Sequence, residues 1–517
     1  MAFSDLTVAF LLAALPLSGF IFSLYTSYLK WKESPFRKTF LPPGPPPSRL
    51  QLGKEAEVFA RPWTKYQEWA KKYGNIIYFK LFNGDQIIVL HSKADALELL
   101  DKRSVIYSSR PKAVVTNLMG WDFNTTMIPY GPEWRAHRKL YQQCFRPKAA
   151  LAYAPMQTEK THAMLKAILE TPENFRAHCR TATTGTLMSL LYGRELTTET
   201  IEYFAYMVDE ATSKLVDTLI PGTNTPNLVP FLQYLPSWFP GAEFKRAALE
   251  VRKLTQQMVE APIDFVGKGL LEGTSSPSLV SDLLENCYAE RDYQRIKKVA
   301  ATTYSAGAHT MTSSLLTFFL CMAKFPDVQR KAQSEIDKFV GSGRLPTFAD
   351  RSSLPYVEAV YREVLRWRPP QPLNTAHTTT DADIYDNIEI PKGSQIIANI
   401  WAMTRNEQDY PRPESFNPDR FLNNDGTLNE DDVEFVFGFG RRICPGRHLA
   451  SATLWMMIVS TLATLNIARK KGDDLDVEYT NGLVSYPGTF DCSIAPRRGN
   501  VVELIDTVLS KSSSPTL

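Results

Sequence analysis

The residue with the most distinctive chemistry is the cysteine in Phe437-Gly438-Phe439-Gly440-Arg441-Arg442-Ile443-Cys444-Pro445-Gly446. The glycines permit positive φ and let the backbone approach a flat ligand closely. Because Cys444 precedes an apolar helical pattern at residues 449–467, the helix dipole and unpaired amides are expected to lower its pKa. Arg442 presents two parallel N–H donors to a carboxylate. This combination predicts a haem bound through the sulfur, with Arg442 on a propionate; a buried structural cysteine is the alternative.

A second chemical pattern, Ala306-Gly307-Ala308-His309-Thr310, lies in the middle of a long helical stretch at residues 296–324. Gly307 lowers helix stability by about 1 kcal/mol relative to alanine. The Thr310 hydroxyl can bond back to the carbonyl four residues earlier and open the helix. This predicts either a plain kink or a small bulge over the haem, where dioxygen fits and Thr310 guides protons. His309 can carry protons near neutral pH, and a structural histidine is equally compatible with the pattern.

Two residue pairs and one histidine elsewhere suggest paired or ligand-binding side chains. Trp134 and Arg138 are four residues apart and share a helical face; a surface arginine stacked on an aromatic ring is the plain interpretation. Glu363 and Arg366 share a face three residues apart, and an exposed pair of this kind contributes only ~0–1 kcal/mol. His377 is either a donor to a haem propionate or a surface histidine.

The composition of the whole chain restricts its class. The 517 residues are 44% hydrophobic and 22% charged, which is typical of a globular protein. A net charge of +3, with no block of basic residues, gives little support to nucleic-acid binding. The six cysteines are scattered, which argues against a disulfide framework or a zinc site and favours a reduced, cytosol-facing domain.

The N-terminus predicts a membrane anchor. Residues 6–29 carry no charge and measure about 36 Å as a helix at ~1.5 Å per residue, enough to span a hydrocarbon core of ~30 Å. The positive residues that follow place the bulk of the chain on the cytosolic side; they are Lys30, Lys32, Arg37 and Lys38. A cleaved signal peptide is the alternative, although its apolar region would be shorter.

The remaining boundaries follow from local pattern. Residues 1–29 are predicted to form the anchor, 30–50 a basic and proline-rich hinge, 51–507 one catalytic domain, and 508–517 a flexible tail. The periodicity predicts helices at 63–73, 94–103, 356–367 and 449–467. Strands are predicted at 76–81 and 86–90, as a hairpin, and at 383–390 and 394–399, about a turn. Many helices and few strands predict a mainly α fold with a small β lobe.

The pattern Phe-x-x-Gly-x-Arg-x-Cys-x-Gly resembles the haem-ligand signature of the cytochrome P-450 family, and all five fixed positions match. The resemblance covers nearly the whole chain, because the anchor, proline hinge, tryptophan–arginine pair, central helix, E-x-x-R, P-x-R-F and cysteine loop follow in the family's order. It implies a helical prism around haem b, with Cys444 as the axial ligand of the iron. The other haem-binding residues that it implies are Arg442, Trp134, Arg138, His377, Phe437, Gly440 and Gly446.

The same resemblance implies roles outside the haem loop. Glu363, Arg366 and Arg420 correspond to a structural lock that braces this loop, and Thr310 and His309 correspond to the catalytic oxygen-activation motif. This chain has His309 where the family usually has Asp or Glu, and a methionine where a second hydroxyl residue is usual. These departures put the efficiency of dioxygen activation in question.

The resemblance implies a membrane-anchored monooxygenase of the microsomal, fungal secondary-metabolism type. Such an enzyme inserts one oxygen atom from O2 into a lipophilic small molecule, here a terpenoid or an aromatic or indole compound. Its electrons come from NADPH through a cytochrome reductase, with cytochrome b5 as a further donor. The expected location is the endoplasmic reticulum bilayer, with one membrane span and a cytosolic domain. A reductase-independent haem-thiolate isomerase or dehydratase and a non-catalytic haem-binding sensor are the alternatives.

Overall fold

The computed structural model describes residues 40–46, 61–81, 83–193, 196–216 and 230–512. The predicted anchor at residues 6–29 and most of the hinge lie outside these ranges. Among the described residues, no helix combines the length and the apolar character needed to cross a bilayer. The described end of the hinge is attached to the sheets, since Phe40 bridges to Ile388 and the Tyr78 N–H donates to Pro43 O.

The described residues are mainly helical, as predicted. The longer helices are α1 (Pro62–Tyr73), α2 (Pro132–Phe145), α3 (Ala154–Glu170), α4 (Phe175–Tyr192), α5 (Thr198–Val216), α6 (Glu243–Glu272), α7 (Leu279–Glu285), α8 (Glu290–Lys324), α9 (Pro326–Phe339), α10 (Pro355–Trp367), α11 (Arg447–Thr464) and α12 (Val501–Ser512). Single α-helical turns lie at Lys93–Ala96, Ser104–Tyr107, Val114–Leu118, Pro147–Ala150 and Ile400–Met403, with a π-helical turn at Leu97–Lys102. Short 3-10 turns lie at Leu151–Tyr153, Pro172–Asn174, Pro230–Tyr234, Phe348–Ser353, Pro418–Phe421, Glu434–Phe437 and Gly440–Arg442.

The strands are short and form small sheets. They are β1 (Ile76–Lys80), β2 (Gln86–Leu90), β3 (His377–Thr378), β4 (Asp383–Tyr385), β5 (Ile388–Ile390), β6 (Gln395–Ala398), β7 (Leu465–Arg469) and β8 (Cys492–Pro496). The largest sheet has the order β1-β2-β6-β3, in which only the β2–β6 pair is parallel. The pairs β4–β5 and β7–β8 are antiparallel. The predicted hairpin at residues 76–90 is therefore confirmed.

Several predicted boundaries are wrong. The strand predicted at residues 383–390 is itself the hairpin β4–β5, because Asp386 and Asn387 adopt positive φ and form its turn. The next strand, β6, consequently pairs with β2 and β3 instead. The apolar run at residues 449–467 is helical only to Thr464 and continues as β7. The tail predicted from residue 508 begins inside α12, which extends to Ser512.

Helix α8 crosses the interior and organises the packing around it. It begins at Glu290, earlier than the predicted residue 296, and ends at Lys324 as predicted. Acidic side chains in its first turn and Lys324 in its last complement the helix dipole. Helices α2, α4, α6, α10 and α11 all pack against it, and its residues 311–323 are all buried. The surrounding helices therefore determine where the groups in its middle lie.

Candidate active site

Cys444 lies in the loop between the 3-10 turn Gly440–Arg442 and helix α11. Its N–H donates to Phe437 O at 2.9 Å, which closes the loop, and the Gly446 N–H hydrogen bonds to the cysteine sulfur. Burial raises the pKa of the Cys444 thiol despite that hydrogen bond and two nearby arginines, so the predicted lowering is wrong for the polypeptide by itself. A bound iron cation supplies the charge that keeps such a sulfur deprotonated.

A cavity joins Cys444 to the middle of helix α8. Its walls come from α2, α8 and α11, from residues 436–446 and from residues 365–377. The lining is mainly apolar and includes Phe145, Leu187, Met311, Leu365, Val436 and Leu454. A concave apolar site with a few polar groups is the usual form of a cofactor or small-molecule site.

The predicted trio of Trp134, Arg138 and Arg442 meets at this cavity. The guanidinium carbons of Arg138 and Arg442 lie 5.7 Å and 4.6 Å from the centre of the Trp134 ring, so the indole contacts both cations. Arg138 donates to Ile443 O, in the cysteine loop, at 2.8 Å. Arg442 donates to the carbonyl oxygens of Ser108, Thr125 and Ile128 at 2.8 to 3.1 Å. These bonds hold both guanidinium groups at the cavity wall.

Arg110 and His377 complete the set of basic side chains that line the cavity. Arg110 donates to three backbone carbonyls at 2.6 to 2.9 Å, and buried His377 donates from Nδ1 to Tyr107 O at 2.7 Å. Burial lowers the pKa of Arg110 to about 9 and that of Arg442 to about 8, and it lowers the pKa of His377 well below its ordinary value. Neighbouring arginines add to the shift of Arg442 and His377.

The residues present fit haem b. No carboxylate of the described part of the chain is paired with Arg110, Arg138 or Arg442. Buried cations without a counter-ion are unfavourable, and two propionates would supply the negative charge. The cysteine suits the iron, and the apolar walls suit the macrocycle.

The three other positions predicted to contact the haem differ from one another. Phe437 and Gly446 line the cavity, whereas Gly440 is not among its lining residues. Gly440 has a φ of 53°, and a Cβ there would collide with the Leu100 carbonyl. The close approach that it permits is to the π-helical turn Leu97–Lys102. The structure therefore shows a packing role for Gly440, and its contact with the cofactor stays a prediction.

The oxygen-motif threonine faces the cavity from helix α8. Ala306, Gly307 and Thr310 line the cavity, and Thr310 Oγ1 donates to Ala306 O at 3.1 Å, as predicted. The predicted opening of the helix is absent, because α8 is continuous from Glu290 to Lys324. Gly307 serves packing instead, since a Cβ there would lie 2.9 Å from Leu187 Cδ1 on α4.

His309 lies beside the cavity but is not among the residues that line it. Its Nδ1 is 2.8 Å from the Tyr486 hydroxyl, and its Nε2 is 3.2 Å from Asp209 Oδ1 on α5. Asp209 also forms an ion pair with Arg180 of α4. Burial, and then the charge of Arg180, lower the pKa of His309 to about 4. The imidazole is therefore neutral at pH 7, and its contact with Asp209 is not an ion pair.

Glu363, Arg366 and Arg420 meet in the interior as predicted. Glu363 lies 2.6 Å from Arg366 Nε and 3.2 Å from Arg420 Nε, and neither Glu363 nor Arg366 has exposed side-chain surface. Both arginines also donate to Ser415 O. The lock therefore ties α10 to residues 404–420, and any brace on the haem loop is indirect. Removal of one partner from such a buried cluster typically costs ~3–5 kcal/mol.

Sequence reasoning missed three residues of this site. Arg110 lies in a loop without periodicity, and Asp209 and Tyr486 lie far from His309 in the chain. No local spacing signals these contacts, because helix and strand periodicity relates only neighbouring residues. Of the three, only Arg110 has a signal in the sequence, which is a positively charged residue beside a proline, Pro111, in a long loop.

The helical fold, the cysteine loop and the cationic cavity together define a haem-thiolate protein. The cytochrome P-450 family model matches residues 42–493. The cytochrome P-450 monooxygenase COX2 of Coprinopsis cinerea is 38% identical over 489 residues, which cover 91% of this chain and 92% of that protein. The monooxygenase ple1 of Rhodocybe pseudopiperita is 36% identical over 494 residues, covering 93% and 94%. A zebra fish cytochrome P-450 solved with abiraterone shares the fold, with a TM-score of 0.68 at 22% identity over 84% of this chain and 100% of that one.

This chain belongs to the cytochrome P-450 family. It is thus a haem b monooxygenase, in the oxidoreductase class, and the COX2 and ple1 relatives named above are fungal. Family members typically receive electrons from NADPH through a reductase.

Proposed function

We propose that this protein is a membrane-anchored monooxygenase that inserts one oxygen atom from O2 into a lipophilic small molecule in fungal secondary metabolism. The observation that carries the proposal is the mainly apolar cavity that joins Cys444 to Thr310. A pocket with this lining favours an apolar substrate. Terpenoids are the first proposed class of substrate because they are apolar, and aromatic or indole compounds are the second.

The bound haem supplies the activation of O2 and the oxidation of the substrate. The polypeptide supplies binding and orientation. Cys444 is the proposed iron ligand, and Arg138 and Arg442 the proposed propionate donors, with His377 beside them. Thr310 presents its hydroxyl oxygen at the cavity wall, where the group can accept one hydrogen bond while it donates another. It is therefore the proposed group for handing protons into the cavity.

His309 is the proposed source of these protons. It stands where the family usually carries a carboxylate, and Asp209 brings a carboxylate to the same place from α5, at 3.2 Å from Nε2. A neutral imidazole can accept a proton at one nitrogen and release one from the other. The proposed route runs from Asp209 through the imidazole of His309 to the Tyr486 hydroxyl, which lies 2.8 Å from Nδ1.

The proposed location is the endoplasmic reticulum membrane, with a single span at residues 6–29 and a cytosolic catalytic domain. The uncharged length of this segment and the positive residues that follow it support the proposal. NADPH–cytochrome reductase is the proposed electron donor, with cytochrome b5 as a second one. Both would approach the cytosolic side of the domain.

The first test is the carbon monoxide difference spectrum of the reduced, membrane-bound protein beside its Cys444→Ala variant. The expected result is a Soret band at the thiolate position that is lost in the variant. An imidazole-like band, or no haem, would contradict the proposal at its first step. Substrate oxidation should then require NADPH and reductase, whereas turnover without them would indicate an isomerase or dehydratase.

A further inference from the structure

A line of polar groups runs along helix α2 from the protein surface to the cavity wall. Glu133, His137 and Tyr141 are spaced four residues apart and therefore share one face of the helix. The Glu133 side chain is 42% exposed, whereas that of His137 is 0% exposed and Tyr141 lines the cavity. His137 thus bridges an exposed carboxylate and the haem cavity.

The His137 ring has one hydrogen-bond partner and one charged neighbour. Its Nδ1 lies 2.8 Å from Thr125 Oγ1, and its Nε2 lies 3.5 Å from Glu133 Oε1. An ionised carboxylate can only accept, and a neutral imidazole has one donor and one acceptor nitrogen. The Glu133 carboxylate therefore favours the tautomer with the proton on Nε2, in which Nδ1 accepts the Thr125 hydroxyl. Thr125 Oγ1 is in turn 3.1 Å from the Tyr141 hydroxyl.

Thr125 belongs to a short segment, residues 124–128, whose carbonyls hold two of the cavity arginines. Arg442 donates to Thr125 O at 3.1 Å and to Ile128 O at 2.8 Å. Arg110 donates to Thr126 O at 2.6 Å. Any shift of residues 124–128 would therefore move both guanidinium groups. The Thr125 hydroxyl is the contact through which His137 holds this segment.

We propose that His137 is a positioning residue for the haem. By accepting the Thr125 hydroxyl, its Nδ1 holds residues 124–128, and through them Arg110 and Arg442, in the arrangement that binds the propionates. This positioning role presupposes haem binding, which membership of the cytochrome P-450 family establishes. It assigns to His137 no contact with the haem itself.

This arrangement makes haem retention depend on pH. The charged groups around His137 are Glu133 on its own helix and Arg291, Arg295 and Lys298 on α8. Burial lowers the pKa of His137 from 6.5 to about 4, with Glu133 opposing the shift and Lys298 and Arg295 adding to it. The pKa of His137 is lower in the folded protein than in the unfolded chain. The stabilisation that neutral His137 provides is therefore fully present above pH 6.5 and is lost as the pH falls to about 4. A protonated Nδ1 donates instead of accepting, so the Thr125 hydroxyl has to turn away from it, and the buried site gains a positive charge.

The test is the rate at which the holoprotein loses haem to an excess of apomyoglobin between pH 4.5 and 7.5. Haem loss from the wild type should accelerate by about tenfold as the pH falls, as for the loss of one buried hydrogen bond. His137→Asn keeps an acceptor near the position of Nδ1 but does not titrate, so its haem loss should be slow at all pH values. His137→Leu should lose haem about tenfold faster at pH 7, without the pH dependence.

His162 provides a matched control. It is also buried, at 2% exposure, and burial also lowers its pKa to about 4, but it lies on α3 and makes no hydrogen bond to residues 124–128 among the described contacts. His162→Leu should leave haem loss unchanged. Equal acceleration in His162→Leu and His137→Leu would mean general destabilisation and would overturn the proposal. Unchanged haem loss in His137→Leu, or wild-type pH dependence in His137→Asn, would overturn it as well.

Thr125→Val removes the same hydrogen bond from its other end and serves as a second variant if His137→Leu does not fold. It should reproduce the fast, pH-independent loss of haem. Haem retention equal to that of the wild type would contradict the positioning role. Failure of the wild-type protein to bind haem at all would instead reject the proposed function, so the two failures are distinguishable.

Discussion

At the scale of single residues, burial disfavours the charged forms of Cys444 and Arg442. It raises the pKa of the Cys444 thiol and lowers the pKa of Arg442 to about 8. A bound iron and a haem propionate would each reverse one of these shifts, because each brings the opposite charge. Haem b carries both, so its binding would neutralise the charges that folding buries at this site. His309 differs, since burial keeps it neutral and Asp209 already lies beside it.

Replacement of Thr310 by valine tests its assigned role. Thr310→Val keeps the side-chain shape but removes the hydroxyl that lines the cavity. Because proton delivery typically contributes 10²–10⁴-fold to a rate, we expect product formation to fall by about a hundredfold or more while haem binding persists. The measurement is the amount of product formed per NADPH consumed.

Thr303→Val is the control for this prediction. Thr303 also lines the cavity from helix α8, and its hydroxyl donates to Val299 O within the helix. We expect it to keep the wild-type ratio of product to NADPH. If both variants lose product to the same extent, the hydroxyl of Thr310 has no special part in proton delivery.

At the scale of elements, the position of the cysteine loop depends on its neighbours. The π-helical turn Leu97–Lys102 packs against the 3-10 turn Gly440–Arg442, and Arg138 of α2 bonds to Ile443 O. The lock of Glu363, Arg366 and Arg420 holds a different segment, residues 404–420. The loop is therefore placed by the elements that contact it directly.

Two glycines of the loop should respond differently to alanine. Gly440→Ala places a side chain at a φ of 53° and against the Leu100 carbonyl, whereas a Cβ at Gly446 meets no other residue within 4 Å. The left-handed conformation alone costs alanine ~1–2 kcal/mol, and the collision adds to this. We expect Gly440→Ala to lower the thermal unfolding midpoint clearly more than Gly446→Ala, as measured by circular dichroism. Equal midpoints would show that the π-helical turn does not constrain the loop.

At the scale of the whole molecule, the described helices and strands carry the cytochrome P-450 fold, and a separate N-terminal segment is proposed to carry the membrane attachment. Contacts join distant parts of this fold, since Phe40 bridges to Ile388 and Tyr486 contacts His309 of α8. The mainly apolar cavity lies within the same set of packed elements. Removal of residues 1–29 should therefore leave the cavity and its haem unaffected.

Deletion of residues 1–29 tests this separation. We expect the full-length protein to resist extraction from membranes by alkaline carbonate, because a span of about 20 apolar residues inserts stably. The truncated protein should be released into the supernatant with its thiolate-type carbon monoxide band intact. Release of the full-length protein by carbonate would argue against a membrane span.

The sequence by itself determined the parts of this protein that depend on local spacing. Periodicity and turn chemistry act between near neighbours. They made predictable the haem-ligand pattern at Cys444, the long central helix around Thr310 and the helix that carries Glu363 and Arg366. The hairpin of β1 and β2 was predictable for the same reason. The order of these motifs was sufficient to indicate the family and its cofactor.

Only the tertiary structure decided the contacts between distant parts of the chain. It brought Arg110 to the cavity, Asp209 to His309 and the Thr125 hydroxyl to His137. It also paired β6 with β2, in parallel, in place of the neighbouring strand. Such contacts depend on which surfaces become buried together when the whole chain packs. Burial also changes the pKa of a side chain, so the protonation of His309 and Cys444 could not be predicted from their neighbours in the sequence.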